Sequence, residues 1–137
     1  MVQIITGSKG TGKTEILIDK INEVIQTTKG DVICIEQAPK LTYRLSYKVR
    51  LVDTGRFGIM DYDSFYGFIS GMLASNYDIS DIFVDGILRL AGRDYNKLGE
   101  VLDRLAKLTE KSTTTVVFTV SADDKDLPES VLKYKSK

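Results

Sequence analysis

A glycine-rich segment near the start of the chain restricts the possible folds more than any other feature. The apolar run Val2–Thr6 before it predicts a buried strand, and apolar side chains at helical spacing over Lys13–Gln26 predict an amphipathic helix after it. The segment satisfies the pattern G-x-x-x-x-G-K-[ST]. Its residues are Gly7, Ser8, Lys9, Gly10, Thr11, Gly12, Lys13 and Thr14. A strand, turn and helix in this order predict an α/β fold.

Each residue type in this segment suits the binding of phosphate groups. Glycines allow successive backbone N–H groups to converge on phosphate oxygens, and the positive end of the following helix adds to the attraction. In this pattern, the Walker A motif or P-loop, the Lys13 ammonium group reaches the β- and γ-phosphates and the Thr14 hydroxyl binds Mg²⁺. We therefore predict that all eight residues bind ATP, that Lys13 is also catalytic, and that Thr14 is a magnesium ligand.

Strand and helix patterns alternate along the rest of the chain. Further strands are predicted at residues 32–35, 49–52, 82–84 and 115–120. Helices are predicted at residues 41–46, after the N-caps Asp63 and Asp94, and at about 128–134. Five strands separated by helices predict a mostly parallel sheet covered on both faces. The predicted fold is a three-layer α/β sandwich that forms a single domain over residues 1–137.

Carboxylates follow two of the predicted strands, at the edge of the sheet where ligands bind in such folds. Ile82–Asp85 is an apolar strand ending in aspartate, as in the Walker B motif, so Asp85 is predicted to hold Mg²⁺ opposite Thr14. Glu36 ends the second strand and is a candidate for activating water. An ordinary solvated glutamate that opens the turn before Pro39 fits the same position.

These motifs and their order resemble those of RecA-like ATPases, including the RecA, RadA and KaiC groups of the P-loop NTPase superfamily. In that family the catalytic glutamate ends the strand after the P-loop helix, as Glu36 does, and a small residue follows the Walker B aspartate, as in Asp85–Gly86. The resemblance covers about residues 1–125 and implies a sensor position near the γ-phosphate for Thr119 or Ser121.

The same comparison implies the RecA-like order of strands in a P-loop NTPase fold. From one edge of the sheet, the P-loop strand is followed by the strands predicted at 115–120, 82–84, 32–35 and 49–52. The carboxyl ends of these strands would then bring the P-loop, Ser121, Asp85 and Glu36 to one edge.

The composition excludes several kinds of chemistry. The chain has no histidine, which rules out a Ser-His-Asp triad, and its one cysteine, Cys34, cannot form an internal disulfide or a cysteine-based zinc site. A reducing, cytoplasmic compartment is the natural expectation. No apolar run approaches the length of a membrane span. Nineteen basic and nineteen acidic residues cancel, which argues against a dedicated nucleic-acid binder.

Charge is nevertheless segregated along the chain. Residues 40–56 contain five basic side chains against Asp53 alone, whereas residues 57–88 contain five aspartates and no basic residue. These stretches are either solvated faces or interaction surfaces. In the second case, the basic surface of one molecule meets an acidic surface on another subunit or on a protein partner. Arg89 and Arg93 closely follow the Walker B strand, either as surface residues or as contacts to phosphate on their own chain or a neighbouring one.

The predicted function is magnesium-dependent binding of ATP, or else GTP, with slow hydrolysis in which Glu36 activates water. One alternative is a regulatory module that responds to nucleotide with little turnover. A second is a small phosphotransferase, because Gly12–Glu15 is similar to the P-loop of thymidine kinases. Those kinases also carry a glutamate directly after the Walker B aspartate and a cysteine-rich zinc lasso, which this chain lacks.

Overall fold

Five parallel strands form the central sheet. The computed structural model describes residues 1–38 and 40–136, so Pro39 and Lys137 lie outside the described residues. The strands are β1 (Val2–Gly7), β2 (Asp31–Glu36), β3 (Val49–Asp53), β4 (Ile79–Asp85) and β5 (Thr115–Ser121). The α-helices are α1 (Lys13–Thr27), α2 (Tyr62–Ser75), α3 (Ile87–Ala91), α4 (Tyr95–Thr109) and α5 (Glu129–Leu132). The predicted α/β fold with a five-stranded sheet is confirmed.

The strands follow the order β1-β5-β4-β2-β3, and every neighbouring pair is parallel. This is the RecA-like order that the sequence predicted. Gly7 pairs in register with Ser121, and Glu36 pairs with Asp85. The carboxyl ends of the strands therefore bring the glycine-rich loop and both carboxylates to one edge of the sheet.

Helices cover both faces of the sheet because the strands are apolar on both sides. Alternate residues of β4 show this division. Phe83 packs on the face covered by α1, together with Leu17 and Ile21, whereas Ile82 and Val84 pack on the opposite face with α2, α3, α4 and α5. The three layers hold the carboxyl end of β4 rigidly beside the amino end of α1.

Two local predictions were wrong. Residues 41–46 form turns and no helix: the Arg44 N–H donates to the Leu41 carbonyl at 2.9 Å, which closes a single turn that is not continued. The start of the segment is held against the end of β2, where Glu36 accepts the backbone N–H groups of Lys40 and Leu41. Helix α2 is capped by Asp61 and not by Asp63. The Asp61 carboxylate accepts the Ser64 N–H, and the Ser64 hydroxyl accepts the Asp61 N–H, which completes a capping box.

The segment after β5 covers the outer edge of β1. Helix α5 lies inside the stretch predicted as a tail helix, and the chain then returns so that the Ile4 N–H donates to the carbonyl of Tyr134 at 3.0 Å. Lys135 forms a parallel bridge with Ile4 and an ion pair with Asp124. Among the described residues, no helix is long and apolar enough to cross a membrane.

Candidate functional site

The glycine-rich loop leaves its backbone amides available to a ligand. Gly10 and Gly12 have φ of 87° and 88°, a left-handed conformation that costs side-chain-bearing residues about 1–2 kcal/mol and glycine almost nothing. Gly12 immediately precedes α1, whose first amides have no partner within the helix. Within the described part of the chain, no hydrogen bond uses the N–H of Lys9, Gly10 or Lys13. This loop therefore has the donors that an anion needs.

Lys13 and the Ser8 carbonyl are joined by a hydrogen bond within the loop. The Lys13 side chain is only 7% exposed, and its Nζ donates to the Ser8 carbonyl at 2.9 Å. The same carbonyl accepts the Thr11 hydroxyl at 2.7 Å. Burial lowers the pKa of Lys13, and the negative charge of Asp85 acts against this shift. A buried lysine with one backbone acceptor retains two N–H donors for an anionic ligand.

Asp85 is oriented by hydroxyl groups from two other elements. The Thr119 hydroxyl donates to Asp85 Oδ1 at 2.7 Å and accepts the Gly86 N–H at 2.7 Å. The Thr14 hydroxyl lies 3.4 Å from Oδ1 and 3.5 Å from Oδ2, at the long end of hydrogen-bonding distance. Thr119 is 1% exposed, so its hydroxyl is a fixed part of the core. The predicted metal ligands Thr14 and Asp85 are thus adjacent.

Glu36 has a different environment. Its side chain is 3% exposed, and Oε1 accepts the N–H groups of Lys40 at 2.5 Å and Leu41 at 3.2 Å. Burial raises the pKa of this carboxyl, the two backbone N–H groups act in the opposite direction, and the nearby charge of Asp85 raises it further. One carboxylate oxygen is therefore committed to the following turn.

An open cleft of about 320 Å³ lies at this edge of the sheet. Of the predicted site residues, those lining it are Lys9, Gly10, Gly12, Lys13, Thr14, Asp85 and Ser121. Gly7, Ser8, Thr11 and Glu36 do not line it: Gly7 ends β1, Ser8 and Thr11 support the loop, and Glu36 faces its own turn. The structure thus gathers most of the predicted residues around one space.

Sequence reasoning missed the part that Thr119 takes. The resemblance to RecA-like ATPases implies a sensor position for Thr119 or Ser121, whereas the Thr119 hydroxyl contacts Asp85 and Gly86. A threonine in the middle of an otherwise apolar strand was the available signal, because a buried hydroxyl requires partners. Arg89 and Glu15 also line the cleft, and only Arg89 had been named as a possible phosphate contact.

The donor set fits a magnesium ion held jointly with phosphate oxygens. Among the described residues, no group of three histidine, cysteine, aspartate or glutamate side chains could hold a metal. One carboxylate and one hydroxyl are too few for a metal site made by protein alone. Mg²⁺ is commonly bound through one or two carboxylates plus substrate phosphates, and Asp85 with Thr14 provides that incomplete set.

Comparisons with known proteins support the fold. No protein-family model matches the chain, and no curated protein matches its sequence. Among solved structures, the chain is similar to the flagellar accessory protein FlaH from Methanocaldococcus jannaschii, with 20% identity and a TM-score of 0.60. The match covers 96% of this chain and 65% of that structure, so the chain spans less than two thirds of FlaH. At this identity the likeness establishes a shared RecA-like α/β fold.

Proposed function

We propose that this protein binds a nucleoside triphosphate, ATP in the first instance, in a magnesium-dependent manner and hydrolyses it slowly. One observation carries the proposal: the buried Lys13, the Thr14 hydroxyl and the Asp85 carboxylate line a single cleft with the left-handed glycines of the loop. Cationic, hydroxyl and carboxylate groups beside unpaired amides are what a magnesium-bound polyphosphate requires.

Each residue has a distinct part in this proposal. The loop amides and Lys13 bind phosphate oxygens, and burial of Lys13 strengthens its attraction for the ligand because little water competes. Thr14 and Asp85 would hold Mg²⁺, which when bound neutralises charge on the phosphates. Thr119 keeps the Asp85 carboxylate pointing toward Thr14. Ser121, at the end of the strand next to β1, lines the cleft and can donate to phosphate.

Glu36 determines whether binding leads to turnover. Its free oxygen, Oε2, is the group that would accept a proton from water, whereas Oε1 is occupied by two backbone amides. Because Oε1 is occupied by these two amides, a second candidate function is favoured: a nucleotide-responsive binding module with little turnover. The two functions differ in rate and not in the binding site.

Binding is tested with Lys13→Ala and a matched lysine variant, Lys29→Ala. Lys29 is exposed beyond the far end of α1, about 22 Å away along a 15-residue helix. MgATP should raise the melting temperature of the wild type and of Lys29→Ala, and titration calorimetry should show binding to both. Lys13→Ala should lose these responses. Equal responses of Lys13→Ala and wild type would overturn the proposal.

Turnover is measured separately as phosphate release by the purified protein. Slow release that Lys13→Ala abolishes supports the ATPase, and tight binding with no release above the Lys13→Ala background supports the binding module.

A further inference from the structure

Arg89 occupies a position that the roles above do not explain. It lies in α3, the short helix that follows β4, and it lines the same cleft as Lys13 and Asp85. Its guanidinium lies over the backbone of Gly86. A Cβ atom on Gly86 would be 2.8 Å from Arg89 Nη2 and 3.2 Å from Cζ. The arginine can adopt this position only because residue 86 has no side chain.

Two features constrain the backbone of Gly86. Its φ of 79° is a left-handed conformation, and its amide donates to Thr119. The absence of a side chain at the residue after Asp85 therefore serves the backbone turn and also the approach of Arg89.

The guanidinium has no partner of its own in the described part of the chain: no salt bridge or side-chain hydrogen bond there includes Arg89. Its positive charge nevertheless reaches Glu36, where it lowers the pKa against the effect of burial. Arg89 thus lines the same cleft as Asp85 and is within electrostatic range of Glu36. The space between these carboxylates is where the terminal phosphate and an attacking water would be located in the proposed function.

The charge of the cleft also favours a contact between Arg89 and phosphate. Its lining includes three cationic side chains and two carboxylates, so its net charge depends on Arg89. The cationic members are Lys9, Lys13 and Arg89. A triphosphate with bound Mg²⁺ keeps net negative charge, and the planar guanidinium can form two parallel hydrogen bonds with phosphate oxygens.

We propose that Arg89 binds the terminal phosphate of the nucleoside triphosphate from within the same chain, and that the absence of a side chain at Gly86 leaves room for its guanidinium. This inference rests on the proposed function, because it presumes a nucleotide in the cleft. It predicts that Arg89 discriminates triphosphate from diphosphate, whereas Lys13 and the loop amides bind both.

The test compares affinities for the magnesium complexes of AMPPNP, a non-hydrolysable triphosphate, and of ADP. Arg89→Ala should weaken AMPPNP binding by about 10- to 100-fold, the effect of losing a charge-assisted hydrogen bond, and leave ADP binding unchanged. Arg89→Lys should recover part of the loss, because it restores charge without the paired donors. Arg93→Ala is the matched control, since Arg93 is exposed, as Arg89 is, but lines a different cleft; it should behave as wild type.

Gly86→Ala gives a second measurement. The new methyl group should displace Arg89 and reduce AMPPNP affinity, and combining it with Arg89→Ala should add little on this ligand, because both changes remove the same contact. Wild-type protein that binds neither nucleotide would overturn the proposed function and this inference together. Wild type that binds both, with an Arg89→Ala variant that keeps the wild-type preference or weakens both ligands equally, would overturn this inference alone.

Discussion

Asp85 and Glu36 occupy equivalent positions on neighbouring strands but have different surroundings. They are the last residues of β4 and β2, pair in register, and are both buried. Hydroxyl groups contact Asp85, from Thr14 on α1 and Thr119 on β5. Backbone amides of the next turn contact Glu36.

The difference shows that position in the sheet does not by itself make a carboxylate available. Side-chain hydroxyls orient Asp85 while it continues to line the cleft. Amides from Lys40 and Leu41 instead tie Glu36 to its own connection, outside the cleft lining. Asp85 is therefore available to a ligand in the cleft, whereas Glu36 is tied to the segment that carries the basic side chains of residues 40–50.

The largest effect is expected from Asp85→Asn. This change keeps the size of the side chain and an acceptor for the Thr119 hydroxyl, but it removes the charge that would hold Mg²⁺. We expect hydrolysis to fall by about 10²- to 10³-fold, a typical loss for removal of an electrostatic group from a catalytic site. ATP affinity measured with Mg²⁺ and with EDTA should become nearly equal. A magnesium dependence equal to that of wild type would contradict the metal assignment.

Glu36→Gln should lower turnover by about 10²-fold without weakening ATP binding, because general-base catalysis contributes at least that much. The glutamine carbonyl can still accept the two backbone N–H groups, so the turn should stay folded. Phosphate release under saturating ATP measures the effect. Equal rates for wild type and Glu36→Gln, above the Lys13→Ala background, would show that Glu36 only supports the turn.

Thr119→Val should destabilise the fold by about 1–3 kcal/mol, because it leaves the buried Gly86 N–H without an acceptor. Thr119→Ser keeps the hydroxyl and is the control for its polar contacts. Urea unfolding at neutral pH gives the free energy of unfolding of each variant. A valine variant as stable as wild type would mean that the hydroxyl bridge contributes nothing to the fold.

A smaller, pH-dependent effect should distinguish Glu36 from an exposed glutamate. Burial raises the pKa of the Glu36 carboxyl, so the folded state binds this proton more tightly than the unfolded state does. In the unfolded state the pKa of a glutamate is about 4.3. The contribution of this bound proton to the stability of the folded state is fully present below the unfolded pKa. It is lost as the pH rises through the folded pKa. The stability of Glu36→Gln relative to wild type should therefore increase with pH over this window. Glu23→Gln, an exposed position on α1, is the control, and an identical pH trend in both variants would contradict the assignment.

The sheet was predictable because its signals are local and repeated. Apolar runs such as Ile82–Val84 are buried on both faces, and the amphipathic pattern of α4 places Leu98 and Leu102 in the core. The predicted helix over residues 41–46 is absent, because the segment closes only one turn, from Arg44 N–H to the Leu41 carbonyl, while its start is tied to Glu36 on the preceding strand, a contact that local spacing does not reveal. The bridge formed by Thr119 could not be read from sequence, since it joins side chain and backbone groups 33 and 34 residues apart.

The covering of β1 restricts how copies of this chain could join their sheets. The returning segment at Tyr134 and Lys135 occupies one side of the sheet, and β3 at the other side pairs with β2 alone. Among the described residues, β3 therefore leaves a longer unpaired edge than β1, which the returning segment already contacts at Ile4. A contact that pairs β3 with β3 uses the same edge on both molecules, so it is two-fold symmetric and closes after two.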